Sequence, residues 1–183
     1  MAYDSTKPPD SGSIVSADVR ENFRALKSDW IISGQQVQEV WAEDATYAAN
    51  TGVTAYSDDI PAITDGDQIL TAAITPKAST NILTVRTLIT VSSNNTSVVV
   101  HLHRDAVINA LAATGGYLLT NHSNVIALVH RMVAGGTSAI TFRLRAGVSS
   151  GEYYVNGRNS SPSGRVFGGV SKTSIQIIES QAS

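Results

Sequence analysis

Two histidines set two residues apart are the first candidates for chemistry. His101 and His103 fall in SVVVHLH (97–103), a run of strand character, so both side chains emerge on one face of that strand. With Asp105 or His130 folded close by they could hold a metal ion, but the spacing fixes no third ligand. The plainer reading is a pair of imidazoles on a sheet, and no cofactor is expected. Gly147-Val148-Ser149-Ser150-Gly151 matches the G-x-S-x-G pattern. A nucleophile elbow needs a helix after its serine, whereas strand-like residues follow here, so a turn built of small residues is expected. Asp58, Asp59, Asp65 and Asp67 make an acidic stretch with oxygen ligands that would suit Ca²⁺. It lacks the regular alternation and terminal Glu of an EF-hand loop, which leaves a solvated turn as the expectation. Arg143 and Arg145 alternate outward on a predicted strand, and Tyr153 and Tyr154 follow on the next. If those strands pair, the four form an Arg–aromatic cluster suited to a partner or a sugar ring. No pair of carboxylates is spaced for glycoside hydrolysis, and no convergent catalytic set emerges, so the chain reads as a non-enzyme.

The elements that must carry these residues follow from patterning. Charged residues make up 15% of the 183 positions, against roughly 25% in ordinary soluble proteins. Ser, Thr, Asn, Ala and Gly take their place, which suits a surface covered by other copies. The net charge of −2 gives no basic stripe for nucleic acid, and with no cysteine neither disulfides nor thiolate ligands arise. No apolar run is long enough for a signal peptide or a membrane span, so synthesis and folding in a cytoplasm without membrane insertion are expected.

Residues 1–34 read as an extended arm followed by an anchoring helix. Pro8, Pro9 and Gly12 keep the arm extended, and Ser16 serves as N-cap. Val19, Phe23, Leu26 and Trp30 then form a narrow apolar stripe, an attachment or oligomerisation seam about two heptads long. Residues 35–67 read as a linker or crossing segment. Residues 68–183 read as a β-domain. Leu83, Val85, Ile89 and Val91 share one face of TNILTVRTLITV (80–91), and Ile140, Phe142 and Leu144 point inward from SAITFRLRA (138–146). In NVIALVHRMV (124–133) both faces are apolar, which predicts a strand buried on both sides. Asn156-Gly157 predicts a hairpin turn. Seven or eight short strands at this spacing predict a mainly β fold, an antiparallel jelly roll or β-sandwich behind a short arm and helix.

The segment KPPDSGSIVSADVRENFRALKSDWI (7–31), above all residues 16–27, resembles a recurring opening in proteins of tailed bacteriophages and prophages. FRLRAG (142–147), YYVNGR (153–158) and RVFGGVSKTSIQIIE (165–179) are similar to the trimeric jelly-roll modules of phage fibre and decoration proteins. That resemblance implies a homotrimer on the virion surface, made in the bacterial host cytoplasm. It would be attached through the arm and helix to phage capsid or tail proteins. Two roles stay open: a capsid decoration (cement or head-fibre) protein, favoured by the lack of any shaft repeat, and a short tail fibre that binds a host cell-surface glycan or protein. A free-standing sugar-binding module is the reading from outside the virion.

Overall fold

A computed structural model describes residues 19–21, 34–159 and 164–182. Val19 to Glu21 are helical. Phe23, Leu26 and Trp30, the rest of the expected attachment stripe, lie outside the described residues.

Among the described residues, ten strands build two facing antiparallel sheets. The first contains β1 (Gln36–Asp44), β2 (Ala48–Asn50), β4 (Ile82–Ser93), β7 (Ser123–Val133), β9 (Tyr153–Val155) and β10 (Thr173–Ser180). β4 is central. β7 runs along one of its edges, while β10 and then β9 share the other. β1 flanks β10 and β2 flanks β9. The second sheet has the order β3 (Asp67–Ile74), β8 (Ile140–Val148), β5 (Thr96–Arg104), β6 (Ala112–Leu118). From β2 to β5 and again from β6 to β9 each successive strand lies in the other sheet, a wiring that suits a jelly-roll type of sandwich. The expected mainly β, antiparallel sandwich is the observed one.

The core forms because apolar residues recur at every second position of β4, β8 and β10 and so meet on one face of each sheet. Leu83, Val85, Ile89 and Val91 of β4 and Ile175 and Ile177 of β10 are buried against Val98, Val100 and Leu102 of β5 and Phe142 and Leu144 of β8. Each such side chain contributes about 1.5–3 kcal/mol by leaving water.

Three expectations change. Residues 35–67 are not simply a linker, because β1 completes the first sheet through eight residue pairs with β10, from Gln36↔Ser180 to Asp44↔Thr173. The sandwich therefore starts at Gln36 and not at residue 68. β7 is not covered on both sides: Leu128 faces the core, but Val125, Val129 and Val133 are exposed in the single chain. The strand buried on both faces is β5, because the segment 51–66 crosses its outer side. Asn156-Gly157 does not close a two-residue hairpin. Asn156 takes positive φ, but its side chain donates to the carbonyls of Asp44 and Thr46 and accepts from Thr173. The chain reverses further on, where Arg158 N–H donates to Gly164 O.

Candidate functional site

The outer face of the first sheet leaves several large apolar side chains exposed. Strand alternation sends Val40 and Ala42 of β1 toward the core and Trp41 outward, where it is 53% exposed. The register sets Trp41 beside Gln176, Gln176 beside Arg86, and Arg86 beside Val129. The next row runs Glu43, Ser174, Leu88, Ala127, and beyond it Thr90 sits beside Val125. Trp41, Leu88, Val125 and Val129 thus share one sheet face, all of them exposed. A shallow depression of about 190 Å³ lies among Trp41, Leu88 and Val129. The indole Nε1–H of Trp41 donates to Glu43 Oε2 at 3.2 Å, which fixes the ring over the face. Glu43 also pairs with Lys172. Hydrogen bonds from Lys172 and then Trp41 hold the Glu43 carboxyl below its usual range.

A second apolar patch lies around a different corner. Tyr117 of β6 and Leu119 in the turn to β7 are both exposed. They sit along the side of the sandwich where β6 and β7 are the outermost strands of their sheets.

The arginines and tyrosines singled out in the sequence do not gather. β8 pairs with β3 and β5, while β9 pairs with β2 and β4, so the two strands lie in opposite sheets. Arg143 donates to Asp105 O at 3.0 Å and Gln68 Oε1 at 2.9 Å. Arg145 donates to Asp65 O at 2.9 Å and Gly66 O at 2.6 Å, clamping the crossing segment. Tyr153 is fully buried, and its hydroxyl donates to Ala146 O at 2.8 Å, next to Asp67 Oδ2 at 3.1 Å. Burial and the nearby Asp67 push that phenol far upward. Tyr154 donates to Glu152 Oε2 at 2.6 Å and stacks on Tyr47. Burial first, then Glu152, push its hydroxyl up to about 12. These four residues stitch the sandwich together.

His101 and His103 do share a face, and both are fully buried. His101 Nδ1 lies 2.8 Å from His103 Nε2, so the rings hydrogen-bond each other. Among the described residues no group of three His, Cys, Asp or Glu is placed to hold a metal. The acidic stretch is taken up in turns: Asp65 accepts from Ala62 N–H, and Asp67 from Gly52 N–H. Ser149 of the G-x-S-x-G match hydrogen-bonds Thr96 Oγ1 at 3.0 Å at the end of β8, with no helix behind it.

Two features went unread in the sequence. Trp41 fell in a stretch whose period was not assigned, although the alternation of Val40, Trp41, Ala42 and Glu43 was there to find it. Glu179 continues the inward series Ile175, Ile177, Glu179 and is fully buried. Its carboxylate accepts from Gln38 Nε2 at 2.5 Å, Asn81 Nδ2 at 2.6 Å and Lys77 N–H at 2.8 Å.

Residues 48–183 match the family model of the Pgp3 C-terminal domain. The chain belongs to this family. The match covers every strand from β2 onward. It points to a chlamydial virulence-associated protein family, and it overturns the tailed-phage assignment. The decoration and tail-fibre roles and the virion location fall with it. The reason is physical: alternating strands with Gly and Asn turns, which carried the C-terminal resemblance, are what any jelly roll requires. A search of curated proteins found no match to the chain. Among the described residues no helix is long and apolar enough to cross a membrane.

Proposed function

We propose that this member of the Pgp3 C-terminal-domain family is a non-enzymatic binding module that works as a homotrimer. The observation that carries the reading is the outer face of the first sheet, where Trp41, Leu88, Val125 and Val129 stand in water in the single chain. Burying a Trp and three aliphatic side chains is strongly favourable, and soluble monomers rarely leave such a patch open. The second patch, at Tyr117 and Leu119, is a different surface. One patch docking on the other is a heterologous contact, which gives a ring when its rotation closes and a filament when it does not, and the trimer proposed is the three-fold closed ring. A two-fold dimer would instead pair the Trp41 face with itself. The low charge content supports broad contact between copies. The non-enzymatic reading is supported by the commitment of His101, His103 and Ser149 to internal hydrogen bonds.

Light scattering on the full chain tests this. The expected mass is three times 19.3 kDa. Trp41→Glu combined with Leu88→Glu is expected to give a folded monomer with unchanged β circular dichroism, since neither side chain touches the core. A wild-type monomer at micromolar concentration, or a double variant that stays trimeric, overturns the proposal.

A further inference from the structure

The buried histidine pair does no work in the assembly reading, yet its chemistry is closely specified. Val107 O can only accept, so His103 Nδ1, 3.4 Å away, carries the proton. His103 Nε2 is then the acceptor, and His101 Nδ1–H donates to it at 2.8 Å. That leaves His101 Nε2 to accept from the Thr54 hydroxyl at 3.4 Å. The chain Thr54–His101–His103–Val107 is complete when both rings are neutral. It cannot hold two imidazolium ions, because two N–H groups would then face each other.

The surroundings resist even one added proton. On β8, Arg145 lies opposite His101 and Arg143 opposite His103, so two guanidinium groups share their sheet face. From the crossing segment comes Asp65, the one acid that favours protonation of the pair. Asp105, on the turn after β5, is held by Arg104 and by Thr141 N–H. On β6, Ala113 lies opposite His101 and carries no charge. Burial first, then the neighbouring His103 and Arg145, lower His101 to about 4, and burial also lowers His103.

The pair sits under a strap. Segment 51–66 runs over β8 and β5, held by Thr54 N–H to Val148 O, Val148 N–H to Gly52 O, Ile63 N–H to Ile108 O, Arg145 on the carbonyls of Asp65 and Gly66, and Thr54 Oγ1 on His101.

We propose that His101 and His103 form an acid-sensitive latch, which holds segment 51–66 closed over the outer face of β5 and β8 near neutral pH and releases it in an acidic compartment. Both histidines titrate lower when closed than when open. The closing contribution is therefore fully present above pH 6.5 and is lost as pH falls toward 4. Release uncovers Val99, His101 and His103, and frees the carbonyls of Asp65 and Gly66 from Arg145.

Hydrogen exchange on the full chain, corrected for its intrinsic pH dependence, provides the test. From pH 7 to pH 5 the opening constant read at the Thr54 and Ile63 amides is expected to rise about twentyfold from His101 alone and further with His103, while Ile175 and Ile177 in β10 hold steady. His101→Gln keeps hydrogen-bonding atoms but takes up no proton in this range, and is expected to cut the rise to a few-fold. Equal protection of segment 51–66 at both pH values overturns the latch, as does an undiminished rise in the variant. Should the variant not fold, the wild-type comparison decides alone. A failed latch leaves the assembly reading intact, because the strap lies on the other sheet.

Discussion

Glu179 shows how much one side chain contributes at the end of the sandwich. A carboxylate on the core face of β10 would be costly were it not surrounded by donors. Burial alone would raise its pKa. Hydrogen bonds from Asn81, Gln38 and the N–H groups of Lys77 and Ala78 outweigh that and hold it below 4.5. The folded-state value is depressed, so its stabilisation is present above about pH 4.5 and is lost as pH falls through the lowered value. Glu179→Ala leaves several buried donors without an acceptor and is expected to cost about 2–4 kcal/mol at pH 7, read by urea unfolding. The same variant should lose less stability than the wild type on acidification from pH 5 to pH 3. This window lies below that of the histidine latch, so the two effects separate on one titration.

At the scale of elements, β8 is the strand on which the most depends. Its inward residues Ile140, Phe142, Leu144 and Ala146 build the core, and its outward Arg145 holds the crossing segment. Leu144→Asp places an unpaired carboxylate where there is no solvent, and is expected to unfold the domain, with loss of the cooperative thermal transition. An unchanged melting curve would mean that the inward face has been misassigned. Segment 51–66 answers to the same strand from outside. Gly66, at positive φ, lets the strap turn hard against the carbonyl of Ala146, where any side chain would collide.

At the scale of the whole molecule, folding and assembly are linked. If three copies bury the Trp41 face, the trimer binds the folded chain and not the unfolded one, so its stability depends on concentration. The melting temperature is therefore expected to rise by several degrees for each hundredfold increase in protein concentration. In Trp41→Glu/Leu88→Glu it should not move. A concentration-independent wild-type transition at the same temperature as the variant's would remove assembly as a source of stability.

The period of the side chains determined much of this protein without help from the fold. Alternation in 80–91 and 138–146 placed Leu83, Val85, Phe142 and Leu144 in the core, and the run of short strands gave the sandwich. The reason is that a strand's facing depends only on parity along the chain. Tertiary structure decided what parity cannot. Which strands pair is a long-range matter: Arg145 and Tyr153 are neighbours in sequence but lie in opposite sheets, and β1 pairs with β10 across the length of the chain. Whether an outward face meets water is equally non-local. The outward face of β5 is sealed by a strap from residues 51–66, whereas that of β7, no less apolar in sequence, is left open. The buried histidine pair and the exposed Trp41 face both follow from that difference in cover, since burial is fixed by what packs on a strand rather than by the strand itself.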